Sequence, residues 1–327
     1  MGLHRLPNRT VTDDETMSKH VRRFRIVLAV LVIIPSSTVA SVKGRPTQLR
    51  GYKAVRVHYS PLNKMIMSVR INGQRANLLV DTGSNQIILD AAKAASFGIK
   101  PSQGSLGYIR FTQVNGQELP VGFAQNLTAG SMSFGSLLVA LRNSNHAGAR
   151  DGHVDGVLRL DLFTRHKAVI NCRTKLIFLK IDQTRQMNIS SVAAAEKFTR
   201  VPLRRERNGA LTVSCAIHGR PARLLVDTGS FITIFHEAFL KSVGIPVEAT
   251  HLSAYFARGA ARKVNAGQIS DLKIGDFKTP PAKFGVTALP NFSLVQRGAG
   301  ISGILGMDTL YNCNGIIDLD SMNLFLK

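Results

Sequence analysis

The chain has 327 residues, of which 44% are hydrophobic and 6% aromatic, and it contains no tryptophan. This length suggests two domains with packed cores, and the composition excludes a disordered polymer or a surface built from aromatic stacking platforms. Three cysteines, none at metal-ligand spacing, exclude a disulfide framework, so we expect buried thiols and no metal site.

The formal net charge is +22, from 42 Lys and Arg against 20 Asp and Glu. A charge of this size favours contact with polyanions such as nucleic acid, anionic lipid or acidic envelope polymers. Because the basic residues are scattered and form no long run, a solvated basic surface is the plainer interpretation. We predict no specific nucleic-acid site.

The first 40 residues have the pattern of an export signal. An apolar stretch at 26–34 is followed by Pro35 and a run of small residues at 36–40, which supplies a cleavage site. Four basic residues precede the apolar stretch: Lys19, Arg22, Arg23 and Arg25. The stretch is shorter than the roughly 20 residues of a spanning helix. We therefore expect export to the periplasm or secretion; the alternative is an uncleaved signal that stays as a membrane anchor.

An internal repeat dominates the rest of the chain. Residues 78–84, Leu-Leu-Val-Asp-Thr-Gly-Ser, recur without change at 224–230, and residues 70–99 match residues 216–245 at 15 of 30 positions. Repeats of this kind indicate two copies of one structural unit.

The similarity resumes near the end of each half, where residues 156–161 match 303–308 and residues 176–180 match 323–327. The chain is thus predicted to contain an N-terminal lobe (50–181), a linker (182–199) and a C-terminal lobe (200–327).

Each lobe is predicted to consist mainly of strands. Segments 65–71 and 211–217 are rich in β-formers and end at the turns Asn72-Gly73 and His218-Gly219, after which a second apolar run leads to Asp-Thr-Gly-Ser. One short helix per lobe is expected, at 91–97 and 237–243, each ended by a glycine. We predict a mainly all-β fold with two homologous, closed, barrel-like lobes related by a pseudo-two-fold axis, and a cleft between them.

The repeated motif places a carboxyl group, Asp81 or Asp227, at the end of an apolar strand, where a charge is costly unless it is hydrogen-bonded or functional. If the lobes pack about an axis through these turns, the two carboxyls meet and share one proton. The ionised member can then activate a water, and the protonated member can donate to a substrate carbonyl. This chemistry hydrolyses a peptide bond without a metal or a covalent intermediate.

These residues resemble the aspartic proteases of the pepsin and retropepsin superfamily, whose signature is a hydrophobic-hydrophobic-Asp-Thr/Ser-Gly-Thr/Ser loop and a later hydrophobic-hydrophobic-Gly. The later motif is Ile-Leu-Gly at 304–306, but lobe 1 has Val-Leu-Arg at 157–159, with Arg159 in place of the glycine. The small lobes are most similar to a tandem, fused retropepsin-like protein of bacterial type. The resemblance implies catalysis by Asp81 and Asp227 and no cofactor.

The resemblance also implies roles for the residues that support the two catalytic loops. The threonines would interlock across the lobe interface, the glycines would allow a tight turn, and the serine hydroxyls would bind the outer carboxylate oxygens. These supporting residues are Thr82, Gly83, Ser84, Thr228, Gly229 and Ser230.

Flaps that cover the substrate are expected at 107–120 and 254–267, since each segment has a strand pattern around a glycine-bearing turn. Tyr108 and Phe256 would either face the substrate or pack as ordinary core aromatics. Asp161 and Asp308 recur between the lobes, and we expect both to cap or stabilise a turn.

The sequence therefore predicts an aspartic endopeptidase acting on a peptide or protein substrate, in a monomer whose lobes form an intramolecular pseudo-dimer. One alternative is an exported, non-catalytic module that binds peptides or polymers on the same fold. A second alternative pairs the lobes between two chains as a swapped dimer.

Overall fold

Strands make up most of the structure, a computed structural model that describes residues 49–102, 110–114, 117–143, 154–185, 189–255, 261–289 and 300–327. These residues all belong to one compact unit, Pro46–Lys327. The predicted export signal lies outside the described residues. Within the described ranges, no helix is long and apolar enough to cross a membrane.

Lobe 1, which precedes residue 182, contains ten described strands and two α-helices. Its strands are β1 (Tyr52–Tyr59), β2 (Met65–Ile71), β3 (Gln74–Val80), β4 (Ile88–Asp90), β5 (Phe111–Val114), β6 (Gln117–Ala129), β7 (Met132–Arg142), β8 (Gly156–Leu158), β9 (Val169–Asn171) and β10 (Leu176–Lys180). Its helices are α1 (Ala91–Ala94), which continues as a 3-10 turn (Ala95–Phe97), and α2 (Leu160–Arg165). A further helix, α3 (Ile189–Ala195), lies in the segment that was predicted to be a linker.

Lobe 2 follows this segment and repeats the order of elements, with additional short strands. Its strands are β11 (Thr199–Pro202), β12 (Arg204–Arg205), β13 (Leu211–Ile217), β14 (Arg220–Val226), β15 (Ile234–His236), β16 (Glu248–Tyr255), β17 (Ala261–Ile269), β18 (Lys273–Ile274), β19 (Phe277–Lys278), β20 (Ala282–Thr287), β21 (Ile301–Leu305), β22 (Ile316–Asp318) and β23 (Asn323–Leu326). Its helices are α4 (Glu237–Ser242) and α5 (Met307–Asn312).

A tight hairpin leads into each repeated loop, as the sequence predicts. Asn72 and Gly73 have φ values of 49° and 85°, and His218 and Gly219 have 50° and 72°. Two consecutive positive φ values are the mark of a type I′ turn, whose twist matches that of the flanking strands. The hairpins β2–β3 and β13–β14 therefore reach the Asp-Thr-Gly-Ser loops in the same register.

In each lobe, a third strand lies beside the strand that leads into the Asp-Thr-Gly-Ser loop. β8 lies between β3 and β4, parallel to the first and antiparallel to the second, and β21 lies in the same way between β14 and β15. Close packing explains the repeated glycine that begins this motif, because a Cβ atom on Gly156 would lie 2.2 Å from the carbonyl oxygen of Ile88. At Gly303 the corresponding distance to Ile234 O is 2.6 Å.

The predicted two-lobe, pseudo-two-fold arrangement is confirmed, with a closed barrel in lobe 1 and a second sheet of equivalent strand order in lobe 2. In lobe 1 the strands close into a ring, β2-β3-β8-β4-β7-β6, because β6 pairs back onto β2 at Ile71 and Leu127. Lobe 2 has the equivalent order β13-β14-β21-β15-β20-β17, with the β18–β19 hairpin pairing onto β13. The apolar side chains inside both lobes form one continuous core.

A six-stranded antiparallel sheet joins the lobes. Its order is β11-β23-β22-β9-β10-β1, so each lobe contributes three strands, and the central pair β22–β9 has Ile317 opposite Ile170. Hydrogen bonds across the centre of this sheet fix the relative position of the two halves.

The helices were predicted in part. α1 with its 3-10 turn ends at Gly98, which has a φ of 67°, and α4 is followed by Gly244, which has a φ of 75°. Both agree with the expected helices. We did not predict α2 and α5, which directly follow the second repeated motif. Each has six residues, like α4, but the residue after its C-cap is Lys167 or Asn314 and not the glycine that indicated the ends of α1 and α4.

One buried ion pair also connects the lobes. The Lys180 side chain is 1% exposed, and its Nζ lies 2.6 Å from Oδ2 of Asp320. Lys167 Nζ lies 3.1 Å from the other carboxylate oxygen. Although burial raises the pKa of Asp320, its hydrogen bonds to the two lysines and their charges hold that pKa below the ordinary value. The carboxylate is therefore the counter-ion on which the buried ammonium depends.

Asp320→Asn should lower the free energy of unfolding by about 3 kcal/mol, because removing one partner leaves a buried, uncompensated charge. The measurement is urea unfolding at neutral pH. Since the folded-state pKa of Asp320 lies below its unfolded value, the contribution is complete above the unfolded pKa of about 4. It is lost as the pH falls through the folded-state pKa, so the difference should shrink in acid.

The matched control is Glu248→Gln, which breaks the ion pair of Glu248 with Lys283, both side chains being 60% exposed. This change should cost less than about 0.5 kcal/mol. Equal effects of the two substitutions would contradict a structural role for the buried pair.

Candidate active site

The two Asp-Thr-Gly-Ser loops meet where the lobes face each other. Asp81 follows β3 and its amide donates to Leu158 O at 3.2 Å; Asp227 follows β14 and its amide donates to Leu305 O at 3.1 Å. The backbone of each aspartate is thus hydrogen-bonded to β8 or β21, the strand that lies between the strands before and after the loop. This attachment gives the two side chains equivalent positions on either side of the pseudo-two-fold axis.

The threonines after the aspartates interlock, as the resemblance implied. Thr82 N–H donates to Thr228 Oγ1 at 3.1 Å, and Thr228 N–H donates to Thr82 Oγ1 at 3.0 Å. Each hydroxyl in turn donates to the strand of the other lobe, Thr82 to Val226 O at 2.8 Å and Thr228 to Val80 O at 2.7 Å. Both side chains are buried, so these four hydrogen bonds form without competition from water.

The glycines let each lobe approach the carboxyl group of the other. A Cβ atom on Gly83 would lie 2.6 Å from Cγ of Asp227, and a Cβ atom on Gly229 would lie 2.5 Å from Cγ of Asp81. Carbon atoms that are not bonded do not approach so closely, and any larger residue would push the carboxyls apart. Gly83 N–H also donates to Asp81 Oδ1 at 2.7 Å, and Gly229 N–H donates to Asp227 Oδ1 at 2.8 Å.

The two carboxyl groups hydrogen-bond each other and keep part of their surface open to solvent. Burial and the neighbouring carboxyl raise the pKa of Asp81 well above its ordinary range. Burial also raises the pKa of Asp227, against the hydrogen bond from Asp81 and nearby backbone amides. The pair therefore retains one shared proton where separate aspartates have lost both.

The expected contact between the serine hydroxyls and the carboxylates is wrong. Ser84 Oγ donates to Gln86 O at 2.8 Å, and Ser230 Oγ donates to Ile232 O at 2.8 Å. Each hydroxyl reaches the carbonyl oxygen of the residue two positions after its serine, because the chain turns at this point. The carboxylate oxygens of Asp81 and Asp227 accept from backbone amides instead. The serines therefore stabilise the turn of their own loop and do not hydrogen-bond the carboxyl pair.

Arg159 is accommodated without disturbing the loop of lobe 1. Leu160 N–H donates to Ser84 O at 2.9 Å, just as Met307 N–H donates to Ser230 O at 2.8 Å. The lobes differ around this shared contact. A Cβ atom on Gly306 would lie 2.3 Å from Ile232 O, while in lobe 1 the side chain of Arg159 is 18% exposed and pairs with Asp161.

Asp161 and Asp308, the aspartates that recur between the lobes, have different partners in the two lobes, and both have a structural role. These partners account for the arginine at position 159 of lobe 1, where lobe 2 has a glycine. Asp308 Oδ1 accepts from Thr233 N–H at 2.8 Å and from its hydroxyl at 2.7 Å. In lobe 1 Ile87 occupies the place of Thr233 and offers no hydroxyl, and Asp161 pairs with Arg159 instead. A charged partner has thus replaced a neutral hydrogen-bond donor.

Two hairpins occupy the predicted flap segments. β5 and β6 pair up to Val114 opposite Gln117, and β16 and β17 pair up to Tyr255 opposite Ala261. Val114 packs against Ile88, in the strand that follows the first loop. Tyr108 and Phe256 lie outside the residues that the structure describes.

Arg142, the last residue of β7, also belongs to this site, although the sequence did not indicate it. Burial lowers the pKa of its guanidinium, and the negative charge of Asp81 opposes that change. Arg142 is one of 42 basic residues and lies outside the repeated segments, so the sequence offers no signal that distinguishes it.

The other candidate groups are structural. All three cysteines are free and buried, as expected, and burial raises the pKa of the Cys172 thiol to about 12. In the described ranges, no three His, Cys, Asp or Glu side chains are grouped so that they could hold a metal ion.

Comparison with known proteins gives a match to one family. A family model described as aspartyl protease matches two segments, residues 67–162 and 213–309, and each contains one Asp-Thr-Gly-Ser loop. A curated relative, DNA damage-inducible protein 1 of Yarrowia lipolytica (strain CLIB 122 / E 150), is 30% identical over 113 residues, which are 35% of this chain and 26% of that protein. The chain thus spans about a quarter of this relative. The crystal structure of aspartic proteinase from Irpex lacteus aligns with 84% of this chain and 96% of its own, at 16% identity and a TM-score of 0.49.

Thr82→Val should lower the free energy of unfolding by about 2 kcal/mol or more, because it leaves the Thr228 amide and the Val226 carbonyl buried without their partner. Chemical unfolding measures this loss. Thr82→Ser is the matched control, since it keeps the hydroxyl and removes one methyl group, worth about 1 kcal/mol. If the valine variant were no less stable than the serine variant, the interlock would not hold the lobes together.

Proposed function

The chain belongs to the aspartyl protease family, and we propose that it is an aspartic endopeptidase in which Asp81 and Asp227 form the catalytic pair. The observation that carries the proposal is the hydrogen-bonded pair of carboxyl groups, one from each lobe, with burial holding one shared proton. Two carboxyls that hydrogen-bond each other and share one proton supply one acid and one base, as general acid–base hydrolysis requires.

The reaction begins with a water molecule held between the two carboxyls. The ionised carboxyl takes a proton from this water while the water oxygen attacks the carbon of the scissile carbonyl. The protonated carboxyl donates its proton to the carbonyl oxygen, so that the tetrahedral intermediate carries no full negative charge. The first carboxyl then gives the proton that it took to the leaving nitrogen, the second recovers a proton from the intermediate, and the C–N bond breaks. The products are a carboxylic acid and an amine, and the pair returns to its starting state.

The fold supports an extended peptide or protein as the substrate. The β5–β6 and β16–β17 hairpins come from opposite lobes at the segments predicted as flaps, and paired strand edges can hydrogen-bond the backbone of an extended chain. Both catalytic groups come from one chain, so a monomer is sufficient, and the residues themselves supply the acid and the base.

We also propose that the protein acts outside the cytoplasm, on the pattern of residues 1–40 alone. The formal charge of +22 supports contact of its surface with polyanions in that location.

Asp81→Asn and Asp227→Asn should each reduce peptide cleavage by at least about 100-fold, since each removes one half of the acid–base pair. The assay is digestion of a diverse peptide library by purified protein, with and without a pepstatin-type inhibitor. Both variants should stay folded, because the Thr82–Thr228 interlock is intact. Asp276→Asn, at an exposed turn, is the matched control and should cleave like wild type.

Substantial activity in either Asn variant would contradict catalysis by the shared proton. A wild-type protein that binds library peptides but cleaves none would be the non-catalytic binding module.

The pH profile should be a bell whose alkaline limb lies above the ordinary aspartate range of about 4, because burial raises the pKa of the protonated carboxyl. Ser84→Ala combined with Ser230→Ala should leave both limbs in place, since these hydroxyls bind backbone carbonyls. The measurement is kcat/KM against pH for one peptide. An acidic limb that moved to higher pH in the double variant would show that the serines do bind the ionised carboxyl.

A further inference from the structure

Arg142 ends β7 with a half-buried side chain. Its Nε and Nη2 atoms are buried, and neither has a hydrogen-bond partner in the described part of the protein. A guanidinium carries five donors and a permanent charge, so leaving two of its nitrogens buried and unpaired is costly. Such a cost is tolerated where the group has a partner that binds only during function.

The pseudo-symmetry of the fold supplies an internal comparison. In lobe 1 the strand after the catalytic loop, β4, pairs in parallel with β7, with Asp90 opposite Arg142. In lobe 2 β15 pairs in parallel with β20, and His236 is opposite Thr287. Thr287 is buried, and its hydroxyl donates to Lys263 O at 2.9 Å. The same register position thus holds a satisfied hydroxyl in one lobe and an unpaired cation in the other.

Arg142 lies on the strand next to the one that follows the first catalytic loop. β4 begins at Ile88, a few residues after that loop, and its parallel neighbour β7 places Arg142 two residues further on, opposite Asp90. Two residues earlier on β7, Ala140 packs with Ile88 of β4 and Val114 of the β5–β6 hairpin. The side chain is within electrostatic range of Asp81, yet the two form no ion pair among the described contacts.

We infer that Arg142 forms a subsite for an acidic side chain, Asp or Glu, of the peptide substrate, next to the bond held by the catalytic pair. The inference rests on the proposed function and adds a substrate preference to it. A carboxylate matches the fork of a guanidinium and can accept from two nitrogens at once. It would also accept from the two buried nitrogens that the protein leaves open. An apolar side chain would leave both unpaired, and an amide would offer one oxygen without the opposite charge.

The test uses pairs of peptides that differ only by Glu or Gln at one position near the scissile bond. For each enzyme the readout is the ratio of kcat/KM for the Glu peptide to that for the Gln peptide, which cancels any general loss of activity. Wild type should show a ratio of at least about ten at one position, the effect of a hydrogen-bonded charge pair. Arg142→Thr, which installs the residue found in lobe 2, should bring that ratio close to one. Arg142→Lys should give an intermediate ratio, because it keeps the charge and loses the fork.

Arg205→Thr, which removes an exposed arginine, is the matched control and should keep the wild-type ratio. A wild-type ratio near one at every position would overturn the inference, as would a ratio that survives in Arg142→Thr. Variants that shift only the pH limbs would show that Arg142 acts on the charge of the pair and has no substrate contact. If no peptide is cleaved, the proposed function fails separately. The Kd values of the same Glu and Gln peptides for wild type and Arg142→Thr then decide whether the subsite exists.

Discussion

Two carboxyl groups in contact repel each other when both are ionised, and most of the structure serves to keep them together. The approach is possible because Gly83 and Gly229 have no side chain to place against the opposite carboxyl. The interlocked threonines hold the two loops against each other, and the six-stranded sheet holds the two lobes together. Burial between the lobes then favours the neutral form of one carboxyl. The shared proton is thus a consequence of packing, and the chemistry depends on how rigidly the lobes are joined.

The sequence predicts those parts of the fold that have a local signal. Alternating apolar residues and Asn-Gly or His-Gly turns were enough to locate the hairpins, and the exact repeat was enough to bring Asp81 and Asp227 together. The helices α2 and α5 were missed because neither is followed by the glycine that indicated the ends of α1 and α4. The partners of Ser84 and Ser230 were also beyond the sequence, because a hydroxyl in a tight turn can reach either a carboxylate or a carbonyl oxygen, and only the backbone path decides.

The two lobes have kept the catalytic loops alike and have diverged around them. Asp308 accepts a hydrogen bond from the neutral hydroxyl of Thr233 in lobe 2, while Asp161 takes Arg159 as its partner in lobe 1. A similar exchange separates Thr287 from Arg142. Both changes bring an arginine to lobe 1, and both leave the strand pairing intact. The two lobes therefore present different side chains, although their backbones are related by a pseudo-two-fold axis. A ligand whose two ends differ, such as a peptide, can distinguish one lobe from the other.

The reciprocal contacts of the threonines have one more consequence. Each lobe supplies the same donors and acceptors to the interlock, so the contact is self-complementary. Because both halves of this contact belong to one chain, it forms as an intramolecular event with a high effective concentration. A contact of this kind does not depend on how much protein is present.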